Sequence, residues 1–302
     1  MFVETTTTPS LRVSAGARAD GIRPRRALVS IEGFPFDVAT SAGEDRAAKR
    51  IAQRALATHS FLDRVIGVTP RLSLRVLDHE DWLRHADDDW YGTPHVSRDG
   101  DLVFGSEPAD AWGDVSDYLA RRLSARELAR LVAVHGVDAK NRRGPSLDAL
   151  AEALVAHEVA RALVARQRIV FPSRWLEEAF ASYVLVAVLG ATDPSGLRLV
   201  GSLAEAARTL DDALPTLPEF ERGFGPADAI SKVLAELAIA RSVYNAYARW
   251  DTAPLVDLFN GLRASTDPDA DWEFGRMLGP RIHPSIAAIP DAFAVERIGL
   301  AA

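Results

Sequence analysis

Residues 146–190, SLDALAEALVAHEVARALVARQRIVFPSRWLEEAFASYVLVAVLG, decide how the chain is read. Their apolar periodicity predicts one helix over Leu147–Gln167 and a second over Arg174–Leu189, joined by a short loop at Val170-Phe171-Pro172. Ser146 and Ser173 stand where N-caps are expected, and Asp148 falls in a first turn that favours acid. Positions 147, 151, 154, 158, 161 and 165 follow 3–4 spacing, so Glu158 and Arg161 fall on the stripe expected to pack. His157 lies one turn before Arg161. At about 1.5 Å per residue, Arg161 sits about 9 Å before the end of its helix and Glu178 about 7 Å into the next. An antiparallel hairpin therefore brings Glu178 level with the His157–Arg161 turn. An ordinary i,i+3 ion pair between Glu158 and Arg161 explains two of these groups without any function.

The rest of the chain sets the frame. Its 302 residues are 48% hydrophobic and 25% charged, ordinary globular values with ample material for a core. The net charge of −7 offers no footprint for nucleic acid, which needs clustered Lys and Arg. With no cysteine, disulfides, thiolate metal sites and cysteine nucleophiles are excluded. The start, MFVETTTTPS, lacks the basic and apolar regions of a secretory signal, and the uncharged apolar run near Ala179–Ala191 is shorter than a membrane span. A cytoplasmic protein with no membrane partner is the expectation.

Residues 1–26 read as a flexible tail and 27–302 as a single domain. Within that domain, 27–107 form an α/β section: strands at Ala27–Ile31, Arg71–Val76 and Leu102–Phe104, and helices at Glu44–Ile66 and Asp78–His85. From 108 to 302 the pattern is a helical body, with helices also expected at Ala109–Leu123, Ala125–Val134, Gly196–Ala213, Ala227–Trp250, Leu255–Ala264 and Asp271–Leu278. A hinge is expected near 214–226, at Thr216-Leu217-Pro218. The fold class is α+β, mainly α.

The central segment resembles the gluzincins, H-E-x-x-H zinc metallopeptidases whose third ligand is a Glu on the following helix. The residues that carry the likeness are His157-Glu158-Val159-Ala160-Arg161 and Trp175-Leu176-Glu177-Glu178-Ala179-Phe180-Ala181. The resemblance implies that His157 occupies the first ligand position, Glu158 that of the general base and Glu178 that of the third ligand. Tyr244 and Tyr247 lie where a tyrosine supporting the oxyanion is found in many gluzincins, although either suits core packing. Three departures stand out: Arg161 replaces the second His, Ala179 replaces a usual Gly, and 16 residues separate 161 from 178, a slightly short gap.

Arg161 is the consequential departure. A guanidinium has no free lone pair and stays protonated, so it cannot ligate zinc. A cation 4 Å from Zn²⁺ repels it by roughly 8 kcal/mol at an effective dielectric of 20, against about 10–16 kcal/mol for a complete structural site. His157 and Glu178 are thus vestigial ligand positions, and no cofactor is expected. Arg161 is expected between Glu158 and Glu178, as their counter-ion in place of metal. Three functions stay open. The first is a binding or regulatory scaffold that has lost zinc and peptidase activity, its pocket able to hold a peptide or small molecule. The second is a metal-free enzyme using Glu158 and His157, with Arg161 holding an anion. The third is a zinc peptidase with a substitute ligand such as His95 or His135.

Overall fold

Five short strands make one mixed sheet in the order β1-β2-β3-β5-β4. Here β1 is Val29–Ser30, β2 Asp37–Thr40, β3 Ser73–Leu77, β4 His95–Val96 and β5 Leu102–Gly105. The three inner strands run parallel, whereas β1 and β4 pair antiparallel at the edges. Side chains alternate across the pleat. Val38, Leu74, Val76, Leu102 and Phe104 enter the main core, while Leu77 and Val103 face a small cluster around Trp82. The computed structural model describes residues 27–87, 91–109, 111–140, 142–223, 229–264 and 283–292. The expected tail over 1–26 and the expected helix Asp271–Leu278 lie outside the described residues.

Helix α1, Asp45–Ile66, connects β2 to β3 and buries Ala48, Ile51, Ala52, Ala55 and Phe61. Gly67 closes it at φ 66, its N–H bonded to the Asp63 carbonyl, a left-handed cap that costs glycine little. The short α2, His79–His85, follows β3, and its Asp78 cap accepts from the Asp81 N–H. The helical body comprises α3 (Ala111–Arg122), α4 (Ala125–His135), α5 (Asp148–Ala153), α6 (Val155–Gln167), α7 (Arg174–Thr192), α8 (Pro194–Ala207), α9 (Leu217–Arg222), α10 (Ala229–Trp250) and α11 (Ala253–Ala264). The protein is α+β and mainly helical.

Helix α7 is the axis of that body. Trp175, Leu176 and every residue from Glu178 to Leu189 are buried, and α6, α8 and α10 pack around it. Of the helices described, this one is long and apolar enough to cross a membrane, yet 78% of its apolar window lies inside the protein. Its composition is that of a core helix hydrophobic all round.

Several expectations need correction. The helix expected over Leu147–Gln167 is divided at Leu154 into α5 and α6. Its N-cap is Leu147, which makes no side-chain capping bond, instead of Ser146. The division shifts the packing stripe, so Ala165 is exposed while His157 and Glu158 are buried. Ser173 does occupy the N-cap of α7, but its hydroxyl caps nothing. Within the span 214–226, where a hinge is expected, a short helix, α9, forms; its Thr216 N–H donates to Glu219 at 2.7 Å and its Phe220 is buried. Gly196–Ala213 is α8 followed by a 3₁₀ segment from Arg208.

Candidate functional site

The α6–α7 hairpin projects His157 and Glu178 toward each other from facing helices. Two partners fix each end of that arrangement. At the C-terminal end of α6, Arg166 reaches Asp101 at 3.4 Å and the Gly100 carbonyl at 3.3 Å. Asp101 is buried and also pairs with Arg75 of β3, which ties the helix to the sheet. At the start of α7, Glu221 of α9 accepts from the N–H groups of Arg174 and Trp175 at 2.9 and 3.0 Å. Those are orphan donors of a helix N-terminus, satisfied from another element.

His157 forms the centre of the site. Its Nε2 lies 2.6 Å from Glu178 Oε1 and its Nδ1 lies 2.9 Å from Glu158 Oε1. Ser182, one turn beyond Glu178, donates to the same Oε1 at 3.4 Å. All three ionisable side chains are buried, none more than 8% exposed. Burial by itself would push His157 down, but the Glu178 charge and the hydrogen bonds to both carboxylates outweigh it and raise the imidazole to about 10. An imidazole bonded through both nitrogens to two carboxylates is a charged donor at each. Burial works to raise Glu158 and Glu178 as well. For Glu158 the charge of Arg161 and then His157 prevails, for Glu178 that of His157 and then Arg161, and both carboxyls are lowered.

Arg161 does not sit between the two carboxylates, as its sequence position suggested. His157 takes that place. Arg161 lies further out, 34% exposed, with Nη1 3.9 Å from Glu158 and Nε 3.7 Å from Glu177. The geometric reason is that His157 and Glu158 face the interior of α6, while Arg161, one turn on, emerges at its edge. Glu158, the buried Oε2 of which has no hydrogen-bond partner, is overlain by that guanidinium.

Helix α10 completes the site with residues that the local motif could not disclose. Lys232 stands 3.8 Å from Glu236, and both are about a third exposed, at 35% and 29%. The Lys232 charge bears on Glu158 and Glu178. Glu236 is pushed up by burial, against the pull of Lys232 and with the help of the Glu178 charge. Buried His157, Glu158 and Glu178 thus lie within electrostatic reach of Lys232 and Glu236 on α10, and partly exposed Arg161 and Glu177 face each other across α6 and α7.

Tyr244 is not brought to this cluster by any hydrogen bond or ion pair found there. Its ring packs on α8, where a Cβ built at Gly201 would come within 2.9 Å of it. Tyr247 similarly covers Gly190 and stands edge-on to Tyr183. The substitute ligands are also placed elsewhere: His135 bonds Ser202 of α8 at 2.9 Å, and His95 bonds the Thr93 carbonyl and stacks edge-on against Trp82.

The donor set does not fit zinc. Two potential ligands, His157 and Glu178, are bonded to each other, and the position that should supply a third carries a guanidinium. Among the described residues, no group of three or more His, Asp or Glu side chains is arranged to hold a metal ion. What the cluster can do chemically is hold a proton on His157 and present fixed charges of both signs.

In comparisons with known proteins, no family model matches the chain, nor does any curated protein or solved structure.

Proposed function

We propose that the chain is a metallopeptidase-like protein that has lost zinc and peptidase activity and acts as a binding or regulatory scaffold. One observation carries this reading: the 2.6 Å hydrogen bond between His157 Nε2 and Glu178 Oε1 engages the two atoms that would have to share a metal. The motif His157-Glu158 and the Glu178 segment support the likeness to gluzincins, and Arg161 at the second ligand position supports the loss. Neutralisation passes from a metal to His157 and Arg161, which leaves the hairpin intact without a Lewis acid.

Metal analysis of protein purified without chelator tests the reading, together with an assay on a mixed peptide library. The expected result is far less than one zinc per chain and no cleavage above background. Near-stoichiometric zinc would overturn it.

A second reading is a metal-free enzyme in which Glu158 acts as a base toward a small substrate, with Arg161 holding an anion. The observation in its favour is the buried Glu158 Oε2 without a partner, because such groups are retained at a cost unless something uses them. Glu158→Gln separates the two. A scaffold keeps its biological activity in that variant, and an enzyme loses it.

A further inference from the structure

The net charge of −7 hides a local reversal. Residues 121–143 carry seven arginines and lysines against two acids, and all seven cations are exposed. Both acids already accept from the backbone: Glu127 from the Ser124 N–H at 3.0 Å and Asp138 from the Lys140 N–H at 2.7 Å. Two of the cations, Arg121 and Arg143, line one cavity of about 420 Å³ together with Asp117, Ala120 and Leu128. Asp117, Ala120 and Arg121 come from α3, Leu128 from α4 and Arg143 from the loop that follows α4.

That loop is braced, so Arg143 is presented from a fixed backbone. Val137 bridges Pro145, the Asp138 N–H donates to the Gly144 carbonyl at 3.0 Å, and Ser116 of α3 donates to the Pro145 carbonyl at 2.8 Å. Gly144 lies so close to α3 that a Cβ there would collide with the Ser116 hydroxyl. Among the described residues, Asp117 and Arg121 form no ion pair, although they stand one turn apart on α3. A guanidinium stays protonated whatever its surroundings, so two fixed positive charges line this space.

We propose that this cavity binds a small hydroxylated phosphate monoester, its phosphate shared by Arg121 and Arg143. Planar guanidinium groups meet phosphate oxygens through paired N–H bonds, and the surrounding cations raise the local concentration of anions. The concave shape favours a small molecule over a flat surface: Ala120 and Leu128 cover its carbon framework, and Asp117 accepts from one of its hydroxyls. A carboxylate in the wall also disfavours a ligand that is anionic throughout. The site shares no residue with the His157–Glu178 cluster, so it stands or falls apart from the reading of that helix pair.

Ribose 5-phosphate is the probe, with ribose and inorganic phosphate as its parts. Isothermal titration of the full chain at low salt is expected to show ribose 5-phosphate binding about tenfold or more tighter than either part. Arg121→Gln and Arg143→Gln should each weaken that binding by about tenfold. Arg126→Gln, an equal change of charge outside the cavity, should shift it by less than about twofold. All three arginines are exposed, so the variants are expected to melt like the parent by circular dichroism. The two cavity arginines give independent variants, and one that fails to fold leaves the other to decide. Four outcomes would overturn the inference: no binding at millimolar ribose 5-phosphate, inorganic phosphate binding as tightly, Arg126→Gln weakening binding as much as the cavity variants, or affinity only for a DNA duplex or phosphatidylserine vesicles.

Discussion

His157 is bonded through both ring nitrogens to carboxylates on two helices, so its loss should be felt in stability before it is felt anywhere else. Removing one member of a buried ionic cluster leaves the others uncompensated, which typically costs about 3–5 kcal/mol. His157→Gln is therefore expected to lower unfolding free energy by about that much in denaturant titrations, more than Ser182→Ala at the edge of the same network. The pH dependence follows from the directions of the shifts. His157 is raised from 6.5 to about 10, so its contribution is complete below 6.5 and is lost as pH climbs toward 10. Glu178 is lowered from 4.5, so its contribution is complete above 4.5 and is lost as pH falls further. Stability should thus be flat between those limits and decline on both sides, and the alkaline decline should be smaller in His157→Gln. An unchanged alkaline limb in that variant would show that the imidazole is not the charged bridge. Arg161→His asks a different question at the same place. It removes the repelling cation and adds a nitrogen donor, so the variant should take up zinc that the parent does not, as metal analysis would read. Failure to do so in a folded variant would argue that the His157–Glu178 bond holds the ligands too firmly, or that the likeness to gluzincins is only local.

At the scale of elements, the start of α7 depends on a neighbouring helix. Ser173 stands at its N-cap without a capping bond, and Glu221 of α9 supplies both acceptors. Glu221→Ala should therefore destabilise the protein by about 1–2 kcal/mol, as lost caps do, whereas Ser173→Ala should change little. Equal effects in unfolding titrations would refute that assignment. The contrast also marks what was legible in the sequence. The long helices could be read because their apolar residues recur at helical spacing, and the 161-to-178 arithmetic rightly set Glu178 opposite His157. The strands β2 and β4 escaped because each adjoins turn-forming residues, Gly33 and Pro35 before β2 and Gly92 and Pro94 before β4, which mask so short an extended run. So did α9, whose Thr216-Leu217-Pro218 start looks like a breaker until Glu219 is recognised as the second half of a capping box. Lys232 and Glu236 escaped for a stronger reason. Nothing near them in sequence marks a site, and only the packing of α10 on α7 brings them to one. Arg161 was misplaced because a heptad-like stripe assigns a face and says nothing of depth.

Over the whole molecule, the sheet and the helical body share one core. The same contiguous cluster runs from Ile31, Leu74 and Phe104 through Leu163 and Phe180 to Ile289. The sheet face carrying Leu74, Val76, Leu102 and Phe104 joins the core on the side where α1 packs against β2 and β3, and α1 itself packs on α6 and α7. Ionic contacts reinforce the union without creating it: Arg50 and Arg54 of α1 meet Glu152 at 2.6 and 3.3 Å, but these side chains are 28–45% exposed and such pairs contribute little. A fragment of residues 27–107 should consequently fail to fold alone. Too much apolar surface would stay in contact with water to offset the conformational entropy of ordering the chain. Expressed by itself, it should give a collapsed proton–nitrogen correlation spectrum and bind a hydrophobic dye, while the full chain gives dispersed peaks. A well-dispersed fragment spectrum would mean that the α/β section is an independent domain. In that case the Arg166–Asp101–Arg75 link would be a tie between two independent units, and Asp101→Ala would loosen the helical site from the sheet without unfolding the α/β section.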